Sequence, residues 1–228
     1  MPKPTRAFKK TDTRGQKPWL KSKEVKGYNP ESREVKKRFL IVCEGQTEEL
    51  YFKSFPVQTA NVKAEPSGRS NSSLVEYTRI LSEDEDYDEI WCVFDFDHKG
   101  TVKGQKEDFD KAITLAIKNK FKCAYSNDAF ELWFVLHFQN IDQKQLRTFY
   151  YKKLSEYWEI NYEKNGKAKA FAKTIYSILS KDNRANQDLA IRYAKALFKK
   201  HKAKEYHKHN PVTIVYELVE ELNKHLKK

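Results

Sequence analysis

The sequence predicts an α/β protein, with a mostly parallel four-stranded sheet flanked by helices and an all-helical C-terminal extension. Three observations lead there. Short apolar runs of strand type alternate with amphipathic helical stretches between residues 38 and 140, and that alternation selects a parallel sheet joined by crossovers. From about residue 141 onward the apolar spacing is helical and no run reads as a strand. The chain has 228 residues, 39% of them apolar and 14% aromatic, enough for one core but not readily for two.

The elements follow in order. Phe39 to Cys43 is a short, partly β-branched apolar run of the kind buried on both faces of a parallel sheet. Glu44-Gly45-Gln46 interrupts it. Thr47, followed by Glu48 and Glu49, reads as a capping hydroxyl with acids in a first helical turn. Leu50, Tyr51, Phe52 and Phe55 supply that helix's apolar face, and Pro56 ends it. Asn61 to Glu65 is a weaker strand, and Ser72 to Ser82 a helix. Ile90 to Phe94 is the most strand-like segment, running directly into Asp95-Phe96-Asp97-His98. Glu107 to Lys120 is amphipathic, Cys123 to Tyr125 a short strand, and Ala129 to Phe138 a strongly apolar helix. Helical stretches then lie near 142–158, 168–181, 185–207 and 212–226.

Charge divides the chain differently. The first 38 residues hold 13 Lys and Arg against four acids, with Pro2, Pro4, Pro18 and Pro30 spread among them. Residues 1–37 therefore read as a flexible basic arm with one docking point at Trp19 and Leu20, and 38–228 as the folded domain. Overall the net charge is +12, which favours polyanionic partners, nucleic acid first. Three cysteines, Cys43, Cys92 and Cys123, lie in strand-like runs without C-x-x-C spacing. They read as small buried hydrophobes rather than a disulfide or zinc framework, which suits a reducing, cytoplasmic setting. No apolar run approaches the roughly 20 residues of a membrane span, and no secretory signal opens the chain. P-loop and G-x-G-x-x-G patterns are absent, so intrinsic ATPase activity is not expected.

The chemistry centres on carboxylates. Open parallel sheets bind ligands beyond the C-terminal ends of their strands, and Glu44, Asp95 and Asp97 all fall there. Two residues apart on extended chain, Asp95 and Asp97 face the same way. If their strands are neighbours, the three acids converge, repel one another and raise at least one pKa. A divalent cation relieves this, and Mg²⁺ prefers carboxylate, water and phosphate oxygens. The alternative is a turn in which His98 and Lys99 neutralise the two aspartates. Gly45 fits a close backbone approach or a left-handed turn.

At this level the chain resembles a known family. Phe39 to Phe52, Val93 to His98, Ser126 to Phe138 and Asn210 to Val219 are similar to the motifs of the RloB family, linked to restriction and abortive-infection loci and related to the Toprim module. The resemblance spans roughly residues 38–222. It implies a Toprim-like fold, Asp95 and Asp97 as ligands of Mg²⁺ or Mn²⁺, and Glu44 as a general acid or base. It further implies a polar patch of Ser126, Asn127 and Glu131, with Glu131 supplying a third ligand; a buried ion pair with Lys or Arg is the other reading of Glu131. Further acids often follow the Asp-x-Asp of Toprim enzymes, whereas His98, Lys99 and Gly100 follow it here, which leaves one metal or two open. The expectation is a metal-dependent nuclease acting in phage defence. Its rivals are a non-catalytic sensor subunit working with an ATPase encoded nearby, and a plain nucleic-acid-binding module. Arg192, Lys195, Lys199, Lys200, Lys202 and Lys204, with Lys208, His201, His207 and His209, read as a dense positive helix end for the substrate backbone.

Overall fold

A computed structural model describes residues 36–97, 100 and 103–226. The arm residues Trp19 and Leu20, and His98 and Lys99, lie outside the described residues.

The sheet is built from the predicted runs. Strand β1 (Lys37–Cys43) is followed by helix α1 (Gln46–Lys53), β2 (Ala60–Pro66), α2 (Asn71–Ser82), β3 (Glu89–Val93), α3 (Gln105–Lys118) and β4 (Lys122–Cys123). The four strands pair in parallel in the order β2-β1-β3-β4. Phe39, Leu40, Ile41, Val42 and Cys43 are all buried because β1 is an inner strand covered on both faces, and each such side chain contributes roughly 1.5–3 kcal/mol. With β1 beside β3, Cys43 faces Val93 across the ladder. The chain thus leaves both strands at the same sheet edge, and the Glu44 amide donates to the Val93 carbonyl at 2.8 Å.

The remaining elements are helical in the main. They are α4 (Glu131–Leu136), α5 (Arg147–Trp158), α6 (Lys169–Ala172), α7 (Ile175–Lys181), α8 (Gln187–His201) and α9 (Val215–Asn223), with a wide helical turn at Tyr162–Gly166 and a 3₁₀ turn at Tyr206–Lys208. Helix α4 is buried on every side, from Glu131 to Leu136, as its unbroken apolar run requires. Its Trp133 indole donates to the Tyr51 hydroxyl at 2.9 Å. That bond ties α4 to α1 and gives Tyr51 a place in the core.

Several expectations are corrected. The C-terminal part does contain a strand: Val212–Thr213 (β6) pairs antiparallel with Ser126–Asn127 (β5). Two residues are too few to leave a period-2 signal. Of the run expected as a strand at 123–125, only Cys123 lies in one, the main-sheet strand Lys122–Cys123, while Ser126–Asn127 after it forms a strand of the small sheet. Cys123 is half-buried rather than buried. Helix α1 starts at Gln46 after an extended Gly45, with no side-chain cap, so Thr47 is not its N-cap. Nor is Gly45 left-handed: its φ is −122°. What distinguishes Gly45 is a close approach, since a Cβ there would lie 2.8 Å from the Glu48 carboxylate.

Candidate functional site

The ends of β1 and β3 open into a cavity of about 310 Å³ lined by Glu44, Glu48, Asp95, Asp97 and Glu131, together with Arg147 and Lys167. Four elements deliver these groups. Glu44 is the first residue past β1, and its carboxylate accepts the Asp95 amide at 3.4 Å. Glu48 stands in the first turn of α1. Asp95 and Asp97 follow β3, Asp95 bridging in parallel to Ser126. Glu131 opens α4. The expected convergence of Glu44 with the two aspartates therefore follows from β1 and β3 being adjacent.

Among the described residues, two cations face the five acids. Arg147, at the start of α5, places Nη2 2.8 Å from Asp97 and 3.7 Å from Asp95, and its backbone N–H donates to Asp128 at 2.9 Å. Lys167 stands 3.6 Å from Glu131 and donates to the Tyr151 hydroxyl at 2.6 Å. Glu131 also accepts from the Tyr162 hydroxyl at 3.3 Å. Behind that ring Gly166 leaves space that a Cβ, 2.1 Å from the Tyr162 ring, would fill. The ion-pair reading of Glu131 thus describes its present partner.

Among the described residues that line the cavity, carboxylates outnumber cations. Burial pushes the Asp95 carboxyl well above its usual range, and Glu44, Glu48 and Glu131 push it further, against the opposing pull of Arg147. Burial likewise raises Glu48 to about 7, with Glu131 and Glu44 adding to the effect. Arg147 and Lys167 remain charged, because the acids outweigh the cost of burial.

A stability prediction follows. Glu48 holds its proton more tightly folded than unfolded, so it costs nothing below its ordinary value of 4.5 and most above about 7. Without divalent cations, Glu48→Gln is expected to raise the melting temperature at pH 8, by the equivalent of about 2 kcal/mol, and to leave it unchanged at pH 4. Thermal melts at the two pH values check this.

The donors are hard carboxylate oxygens, which in kind fit a divalent metal such as Mg²⁺ or Mn²⁺. Among the described residues, however, no three His, Cys, Asp or Glu side chains stand preassembled as a metal site. The Arg147 guanidinium contacts both Asp95 and Asp97, at 3.7 and 2.8 Å. These are ion-pair contacts without a directed hydrogen bond from Nη2.

Other predicted residues sit elsewhere. The Ser126 hydroxyl bonds to Thr213 at 2.8 Å inside the β5–β6 pair. Asn127 donates to the His207 carbonyl at 3.0 Å and accepts from Asn210 at 3.1 Å. Both are buried and neither lines the acidic cavity. Of the basic group, Arg192, Lys195, Lys199, Lys200, Lys202 and Lys204 are exposed. Lys195 pairs with Glu220 at 2.6 Å, and Lys204 bonds to His201 at 3.2 Å. His201 and His209 do not add to that positive surface: both are buried, and burial lowers their pKa values. His209 bridges the Tyr125 hydroxyl and the Lys204 carbonyl at 2.9 and 3.0 Å.

Sequence reasoning missed Glu48, Arg147, Lys167 and Asp128. Glu48 had a usable signal, being one helical turn beyond Glu44 across a strand end. Arg147 and Lys167 had none, because only the packing of the C-terminal helices brings them to the cavity.

Fold and site together define an α/β protein with an acidic cavity, lined also by Arg147 and Lys167, at the carboxyl edge of a parallel sheet. The chain belongs to the RloB-like protein family, whose model matches residues 39–222. No curated protein matches it. Among the described residues no helix is long and apolar enough to cross a membrane.

Proposed function

We propose that this protein carries out metal-dependent phosphoryl transfer, most simply hydrolysis of a nucleic acid, as part of a phage-defence system. The observation that supports this most is the meeting of Glu44, Asp95 and Asp97 across two paired strands, in a cavity that Glu48 and Glu131 also line. Membership of the RloB-like family supports the defence setting, and the +12 net charge supports a nucleic-acid substrate.

Asp95, Asp97 and Glu131 are the residues to hold Mg²⁺ or Mn²⁺. When bound, such an ion supplies Lewis-acid polarisation of a phosphoryl oxygen. Glu44, whose carboxylate already accepts the Asp95 amide, takes a proton from water or returns one to the leaving oxygen. Arg147, which lines the same cavity, would bind a phosphate oxygen through a charge-assisted contact.

The experiment is incubation of the purified chain with labelled single-stranded DNA, double-stranded DNA and tRNA, with Mg²⁺, with Mn²⁺ and with EDTA. Metal-dependent cleavage is the expected result. Binding without cleavage under every condition would contradict it.

One observation favours a second reading. Arg147 closes the Asp95–Asp97 pair as the chain stands alone, which suits a sensor subunit opened by a partner such as an ATPase encoded nearby. Cleavage that appears only when the partner is added would support it.

A further inference from the structure

A second cleft adjoins the acidic cavity. It has a volume of about 280 Å³ and is lined by Phe96, Lys106, Asp128, Lys144, Leu146 and His207, among others. This is near the lower end of ordinary ligand pockets, about 300 Å³. Lys106 comes from the first turn of α3, Lys144 from the segment before α5, and His207 and Lys208 from the 3₁₀ turn.

Each wall is fixed independently. Asp110 of α3 accepts from the His207 backbone N–H at 2.8 Å and bonds its Nδ1 at 2.7 Å, pinning the 3₁₀ turn to α3. Asn210 donates to the carbonyl of Gln145 and accepts from its N–H, at 3.2 and 3.3 Å, holding the segment that carries Lys144. These bonds tie together the backbone segments that carry His207 and Lys144.

Their charge is largely uncompensated. Neither Lys106 nor Lys144 forms an ion pair among the described residues, whereas Lys208 is partnered by Glu205 at 2.5 Å. The carboxylate in the wall, Asp128, is engaged by Arg147. The cleft also has an apolar side, with a buried Phe96 ring and a Leu146 that is 58% exposed. Positive charge beside an apolar surface matches a nucleotide, whose phosphate and sugar-base parts need the two separately. The cleft and the acidic cavity share a border: Arg147 contacts Asp128 on one side and Asp97 on the other, and Phe96 lies between Asp95 and Asp97 in the chain.

We infer that this cleft is the binding subsite for the nucleotide next to the scissile phosphate, with Lys106 and Lys144 holding its backbone phosphates. The inference rests on the nuclease reading for the word scissile, but binding is testable without turnover.

The test measures fluorescence anisotropy of short fluorescein-labelled single-stranded DNA and RNA, in EDTA, across a salt series. It compares the wild type with Lys106→Ala, Lys144→Ala and with a Lys118→Ala, Lys181→Ala control of equal charge loss. All four lysines are exposed, and melting curves confirm that each variant is folded. The cleft variant is expected to bind about tenfold more weakly and to lose about 1.4 from its salt slope, at roughly 0.7 per phosphate contact, while the control matches the wild type. The arm with the tighter wild-type binding identifies DNA or RNA as the source of the phosphodiester. Wild-type affinity and slope in the cleft variant, or an equal loss in the control, would overturn the subsite. Binding lost as expected in a protein that never cleaves would sink the nuclease reading alone.

Discussion

An Asp95→Ala, Asp97→Ala variant is expected to lose metal-dependent cleavage by about 10³-fold or more while still binding nucleic acid in EDTA. Metal-assisted polarisation is worth several kcal/mol, and each 1.36 kcal/mol is a factor of ten in rate. Both side chains stand past the end of β3 rather than in the core, Asp97 being half-buried, so their truncation leaves the sheet ladder between β1 and β3 intact. Removing two acids from an overcrowded cavity also relieves repulsion, so the variant should melt no lower than the wild type without metal. The check is a pair of assays on one preparation, cleavage rate with Mn²⁺ and anisotropy in EDTA. Wild-type cleavage by the variant would exclude the aspartates from the chemistry.

Arg147→Met should show the opposite balance. Arg147 compensates Asp95 and Asp97 at 3.7 and 2.8 Å, and Met keeps much of its length without its charge. Breaking a fully buried pair costs about 3–5 kcal/mol, but the Arg147 side chain is 26% exposed, so screening reduces the expected loss to about 2 kcal/mol. A divalent cation binding the folded state then restores stability by mass action. The expected result is a lowered melting temperature in EDTA at pH 8, largely recovered with Mn²⁺, together with tighter Mn²⁺ binding than in the wild type. An equal melting deficit with and without Mn²⁺ would show that Arg147 is a structural anchor and not a stand-in for the ion.

The parts of this protein legible in its sequence are those set by short-range pattern. Phe39 to Cys43 and Ile90 to Val93 announce buried strands by composition, and the acids that follow them fall where parallel sheets bind ligands. The family match over residues 39–222 agrees with the motif reading, and the four-stranded parallel sheet agrees with the β-α alternation. What stayed hidden depends on distant packing. The β5–β6 pair joins residues 126 and 213 through two-residue strands, too short for any periodicity. Arg147, on a helical stretch, and Lys167, between two of them, look like ordinary charges until α5 and the Tyr162–Gly166 turn bring them to the cavity. The histidines at 201 and 209 read as surface cations because nothing local shows that Tyr125 and backbone carbonyls enclose His209.

We propose that the acidic cavity takes up a divalent cation by displacing Arg147 from the aspartates, and calorimetric titration of Mn²⁺ into the metal-free protein tests this most directly. The expected result is saturable binding by the wild type, weakened at least about tenfold, or 1.4 kcal/mol, in an Asp95→Asn, Asp97→Asn variant. Absence of binding by the wild type, or equal binding by the two proteins, would contradict the account.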